Sequence, residues 1–180
     1  MHPSQAFVLA EYSHWANARL LCTAVLPDPP HRGAACRLSR GSILRSLVNQ
    51  SDAQWPSRPA CETGKARGHS LSKTDLADVG AQRGFMAAED DRWVGFVAGP
   101  SDSRWLFRRT LSRGRPRPRW RQLWVLVFRA LNHAPHPRAG IGQRPSELGH
   151  PPGDLDFFDF AIRRPRTDPC GHEEQECPLC

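Results

Sequence analysis

The sequence predicts an all-α protein arranged as a four-helix bundle, and three observations carry that expectation. Apolar residues recur at three- and four-residue intervals in four separate segments, the spacing that gives a helix one core-facing stripe. Most of these segments open near a Ser, Thr or Asp able to cap them, and Pro or Gly follows where they end. The stretches between them are polar and rich in Pro, Gly and Arg, and only the region from Trp105 to Trp120 reads instead as a short hairpin or irregular insertion.

The first helix is expected from Ser4, as its cap, to about Leu26. Val8, Tyr12, Trp15, Cys22 and Val25 form its stripe, and Glu11, His14, Asn17 and Arg19 lie off that line. Pro27, Pro29 and Pro30 then force a loop. Ser42 caps a second helix from Ile43 to about Trp55, with Ile43, Leu44, Leu47 and Val48 on one face. Pro56 and Pro59 close it, and the chain to about Lys73 reads as an exposed loop.

A third helix runs from about Thr74 to Val97, capped near Thr74 or Asp75. Leu76, Val79, Met86, Trp93 and Val97 are its inward residues. Arg83 and Asp90 fall on the same line and are expected at its edge, with their charged ends in water. Trp105-Leu106-Phe107 and the region near Trp120 suggest the hairpin, turning at Ser112-Arg113-Gly114. The fourth helix starts near Arg121 and points Leu123, Leu126, Val127, Ala130 and Leu131 inward, and an apolar segment from Leu155 to Phe160 closes the fold.

The chain has 180 residues, enough for one domain with a substantial core. Residues 1–165 are assigned to the bundle and 166–180 to a disordered tail. Apolar content of 39% and 17 prolines imply that parts of the chain are loosely ordered. The net charge of +7 is almost all arginine, since Lys65 and Lys73 are the only lysines; it favours anionic partners and specifies none. Glu11 interrupts the first apolar run and no basic region precedes it, so no signal peptide is expected. The run from Leu123 to Phe128 is far shorter than the ~20 residues of a membrane span. Six cysteines without the spacing of a secreted scaffold point to reduced thiols and a cytoplasmic protein.

Three pieces of the chain resemble the DinB family of bacterial four-helix metalloenzymes, over about residues 5–164. Glu11-Tyr12-Ser13-His14-Trp15-Ala16-Asn17-Ala18-Arg19-Leu20 is similar to the family's Tyr-x-x-Trp-Ala-Asn opening. Gly41-Ser42-Ile43-Leu44-Arg45-Ser46-Leu47 matches the start of its second helix. Leu131-Asn132-His133, followed by Leu155-Asp156, matches its last helix and what comes after it. The resemblance implies a divalent metal, zinc, nickel or similar, held by three histidines near one end of the bundle. It also implies a thiol transferase or hydrolase acting on a small molecule or low-molecular-weight thiol, with a homodimer among the assemblies it allows.

Carried over residue by residue, the metal ligands are His133, His136 as a second, and Asn49 at the position of the helix-two histidine. The site departs from the family pattern at two of three places. Four residues after His133 stands Pro137, where the family's His-His-Arg-Gly-Gln run has become His136-Pro137-Arg138-Ala139-Gly140. Two histidines four apart share a metal because a helix stacks them on one face. Pro137 supplies no ligand and no N–H, and Pro135 biases Ala134 away from helical dihedrals. The helix is therefore expected to stop near His133, leaving His136 on irregular chain. Asn49 offers an amide oxygen, a poor substitute for imidazole. Residues 135–145 keep the family's length and lose its pattern, which suggests a compensated pair of frameshifts. The alternative to a metal-dependent enzyme is a metal-free bundle, either a pseudoenzyme or the product of a decayed gene.

Two other constellations hold residues able to bind a ligand. Arg104 to Arg121 holds eight arginines, which with Trp105 and Trp120 could follow a nucleic-acid backbone, but a solvated loop is the favoured reading. Cys170, His172, Cys177 and Cys180 have donors for zinc but no apolar shell, and an unstructured tail is favoured. Cys22, on the expected core stripe, reads as a packing residue. No phosphate-cradling glycine loop, dinucleotide fingerprint or nucleophile elbow is present.

Overall fold

The computed structural model describes residues 2–27, 29–33, 40–64, 71, 76, 78–99, 102–106, 108–111 and 119–163. Among these the fold is helical apart from one two-stranded ribbon, as the sequence leads one to expect. The elements in order are α1 (Pro3–Ala24), α2 (Pro29–Gly33), α3 (Ile43–Gln54), α4 (Ser57–Thr63), α5 (Val79–Ala98), α6 (Asp102–Trp105), β1 (Arg108–Leu111), β2 (Arg119–Gln122), α7 (Leu123–His133), α8 (Pro135–Glu147) and α9 (Phe157–Arg163). None of the described helices is long and apolar enough to cross a membrane.

Helix starts follow their local chemistry. His2, rather than Ser4, caps α1: its ring accepts from the Ser4 N–H while its own N–H donates to Gln5 Oε1 at 2.9 Å, and Pro3 fills the first helical position. Ser42 caps α3 as expected, its hydroxyl accepting from Arg45 N at 3.2 Å. Asp78 caps α5 through Ala81 N at 2.8 Å. The loop expected after Trp55 contains α4 instead. Pro59 sits in that helix's first turn, where a missing N–H has no intrahelical partner to lose, and Gly64 ends it at φ 80°. The same rule admits Pro29 and Pro30 at the start of α2.

The ribbon pairs β1 with β2 antiparallel, Arg108 opposite Gln122 and Leu111 opposite Arg119. Trp105, expected on its first strand, ends α6 instead and is buried. The expected hairpin turn and the guanidinium groups from Arg108 to Arg119 lie outside what is described. So do the expected caps Thr74 and Asp75 and the tail from 164 onward with its Cys170, His172, Cys177 and Cys180.

Helix α1 is the central element, packing mainly on α5 and also on α7, α8 and α9. Its buried face is not the expected aromatic stripe. Ala6, Ala10, Ser13, Ala16, Asn17, Leu20, Leu21 and Ala24 are buried, whereas Tyr12 and Trp15 are half-buried and Cys22 is exposed. Helices that approach closely on several sides require small side chains at the contact. The large rings instead cover the edge of α1, where Phe160 of α9 stacks 5.4 Å from Trp15 and 5.7 Å from Tyr12.

The core is two apolar clusters with a polar layer between them. One joins Ala6 and Ala10 to Trp93, Val97, Trp105 and the inward face of α7. The other joins Leu20, Leu21 and Ala24 to Ile43, Leu47, Val79, Met86 and Ile141. The residues of α1, α3, α5 and α8 that fall between these clusters are Ser13, Asn17, Gln50, Asp90 and Arg138, all buried.

Candidate functional site

The polar layer is built around the Asn17 amide. Its Nδ2 donates to Asp90 Oδ2 at 2.8 Å, and its Oδ1 accepts from Gln50 Nε2 at 2.8 Å. Arg138 Nη1 donates to the Ser13 carbonyl at 3.1 Å and to Asn17 Oδ1 at 3.4 Å. One side chain of α1 thus ties α3, α5 and α8 together. The Arg138 guanidinium also lies 4.9 Å over the Tyr12 ring, a cation–π contact. Asn17 and Asp90 were both expected at or off the edge of their helices; both are buried, at 1% and 5% exposure. Arg83 is exposed, as expected.

Burying Asp90 in this layer pushes its carboxyl up to about 6, against the Asn17 hydrogen bond and the positive fields of His14 and Arg138. Burial likewise lowers the Arg138 guanidinium from its usual value, against the fields of Tyr12 and Asp90. Next to this layer lies a second buried group. Arg58 of α4 donates through Nε to Glu89 Oε1 at 2.7 Å and through Nη1 to Glu62 at 2.6 Å, and Arg92 reaches Glu89 Oε2 at 3.3 Å. Ser51 Oγ donates to Gln82 Oε1 at 3.0 Å. The Arg58–Glu89 pair anchors α4 on α5, and its acceptors are used.

The expected metal ligands do not converge on this layer. His133 ends α7 and is exposed, and His136 is exposed in the first turn of α8. The expectation that His136 lies on irregular chain is corrected. Ala134 closes α7 and begins α8, and Pro135 and Pro137 fall in the first turn, where the N–H groups have no intrahelical acceptor. Helix formation resumes when Arg138 N donates to Ala134 O at 3.1 Å. Asn49 is half-buried; the fully buried side chain of α3 at this level is its neighbour, Gln50.

The two histidines are near enough to interact. Burial, then the charges of Arg129 and His136, lower His133 from the ordinary imidazole value, which favours its neutral form. Among the described residues no three His, Cys, Asp or Glu side chains stand close enough together to hold a metal ion. The side chains of the layer offer amides, one carboxylate and a guanidinium and no imidazole, so the residues present do not fit a three-imidazole centre. Gln50 and Arg138 are not among the residues that the sequence singles out. The available signal was polar residues at core spacing, as in Gln50-Ser51-Gln54 of α3. The chain matches no family profile, no curated protein and no solved structure.

Proposed function

We propose that this chain is a DinB-like helical bundle that works without the divalent metal its resemblance implies, a pseudoenzyme whether maintained by selection or decayed. In this reading the hydrogen-bonded layer of Asn17, Gln50, Asp90 and Arg138 stands in place of a metal centre. The observation that supports it most is the Arg138 guanidinium, held in the interior by the Ser13 carbonyl and Asn17 Oδ1. Its charge is balanced by Asp90, so the layer is complete in charge without a divalent cation. His133, the ligand that best matches the family, ends outside that meeting point.

A second reading keeps a metal-dependent thiol transferase or hydrolase, with His133 and His136 as ligands and Asn49 as a third. What favours it is their placement three residues apart across the α7–α8 junction, His133 ending α7 and His136 in the first turn of α8. Metal analysis of the purified protein and of His133→Ala separates the two. Metal far below one ion per chain, unchanged by the substitution, is the expected result. One ion per chain, lost in His133→Ala, overturns the metal-free reading in favour of the second.

A further inference from the structure

Away from the polar layer, a groove opens where α1, α7 and α9 meet. Its volume is about 460 Å³. Among the described residues it is walled by one turn of α1 (Gln5, Val8, Leu9), one turn of α7 (Trp124, Phe128) and the first residue of α9, Phe157. None of these side chains is charged, and five of the six are apolar. The walls are tied down from behind. Leu9 and Trp124 pack on the apolar cluster of Ala6, Ala10 and the inward face of α7. The Trp124 N–H donates to Gln122 Oε1 at 2.7 Å, and Gln5 Oε1 accepts from the His2 N–H. The Phe157 ring meets Tyr12 at 5.3 Å and Phe160 at 6.3 Å. These ties keep the walls apart, so Phe128 and Phe157 stay 43% and 40% exposed rather than closing on one another.

We infer that this groove binds a small uncharged aromatic molecule of two or three rings. The inference stands whether or not His133 holds a metal, since neither the polar layer nor the expected ligands line the groove. Its volume lies within the range of small-molecule sites. Its length excludes a docked partner helix. Such a helix sets anchors at i, i+4 and i+7, over about 10 Å, whereas the four-residue steps Gln5–Leu9 and Trp124–Phe128 each advance about 6 Å. Trp124, Phe128 and Phe157 offer three rings against which an aromatic guest can stack or set its edge. A charged group on the guest would lose water and find no opposite charge in the lining. The chain's net charge of +7 attracts anions over its whole surface, so a preference for a neutral guest is a property of the groove alone.

The probe is N-phenyl-1-naphthylamine, whose fluorescence brightens on leaving water, titrated against the full chain. Its 8-sulfonate, the same rings with a negative charge, is titrated in parallel. The neutral probe is expected to saturate at one per chain, with Kd on the order of 10–100 μM, and to bind more tightly than the sulfonate. Phe128→Ala removes one wall at a partly exposed position and is expected to weaken binding about tenfold. Phe158→Ala is the control: Phe158 is 72% exposed and does not line the groove, and its loss is expected to leave Kd unchanged. Val8→Trp, which fills the groove instead of widening it, should weaken binding as well and serves if Phe128→Ala does not fold. A signal that never saturates, a sulfonate that binds as tightly as the neutral probe, or equal losses in Phe128→Ala and Phe158→Ala overturn the inference. So does a Kd for the probe that rises with protein concentration, which would place a second copy of the chain in the groove.

Discussion

Asn17 of α1 and Asp90 of α5 are 73 positions apart in the chain and meet side chain to side chain at 2.8 Å inside the protein. The amide gives its donor to Asp90 and its acceptor to Gln50 and Arg138, so one residue satisfies groups on three other helices. Replacing it leaves a carboxylate, an amide and a guanidinium in the core with fewer partners.

Asn17→Ala is therefore expected to lose about 3 kcal/mol of stability, well above the ~1 kcal/mol typical of a point substitution. Urea unfolding checks this through a lower midpoint at unchanged slope. A loss under 1 kcal/mol would mean that the layer rearranges around the gap.

Asp90 makes stability depend on pH in the direction opposite to a salt-bridged carboxylate. Its folded-state value of about 6 lies above the ordinary 3.8, so between about 4 and 6 the folded chain holds the proton and the unfolded chain does not. Stability from this group is thus full below about pH 4 and is lost as pH rises through 6. Asp90→Asn removes the ionisation and keeps an oxygen that can accept from Asn17. The variant's stability relative to wild type is expected to rise by about 2–3 kcal/mol from pH 4 to pH 7. Denaturant titrations at several pH values measure it, and a flat difference contradicts the assignment.

Gly149 and Gly153 both adopt positive φ, at 85° and 75°, and differ in their surroundings. A Cβ at Gly149 meets nothing within 4 Å, while one at Gly153 comes to 2.7 Å from the Arg19 guanidinium. Arg19 hydrogen-bonds Pro152 O at 3.4 Å and lies 5.2 Å over Trp15. Gly149→Ala should cost about 1 kcal/mol, the left-handed backbone alone. Gly153→Ala should cost about 1 kcal/mol more, because Arg19 must leave both contacts. Thermal unfolding of the two variants side by side tests the ordering.

Tyr12 holds the segment before α9 through its hydroxyl, which donates to Leu155 O at 2.8 Å, and its ring meets Phe157 edge-on at 5.3 Å. Tyr12→Phe is expected to cost about 1 kcal/mol and Tyr12→Leu about 3 kcal/mol, since only the second removes the ring from beneath Arg138 and beside Phe157. Limited proteolysis between α8 and α9 should speed up in the same order.

Helix α7 was legible in full: Leu123, Leu126, Val127, Ala130 and Leu131 were read as its inward face and are its buried residues. Large aliphatic residues at helical spacing have one good place to go. Helix α1 departs from its sequence pattern because Tyr12, Trp15 and Cys22 outweigh alanines on any hydrophobic count, while close packing on several sides requires the alanines inside. Helix α4 was hidden by Pro56 and Pro59, which mark a break in most contexts and a first turn here. The polar layer is not legible in the sequence: the Trp15-Ala16-Asn17 triplet carries the resemblance, and the resemblance points to His133, His136 and Asn49 instead. The partners of Asn17 come from three distant helices, and periodicity carries no information about which polar residue meets which. Asp90 falls on the stripe of its helix, and nothing local in the sequence marks it as buried.

The alanine face of α1 has a consequence for how this gene can drift. Ala6, Ala10, Ala16 and Ala24 are at most 2% exposed against close-packed neighbours. Shaving a methyl group from one of them costs about 1 kcal/mol in helix propensity, whereas adding carbon forces neighbouring helices apart at about 1–3 kcal/mol each. Serine, nearly isosteric, costs little by volume. Variation among descendants of this chain should therefore be sorted at these four sites by molecular volume, with polarity a minor factor. A saturation library ranked by abundance would trace the outline of the space that α1 fills.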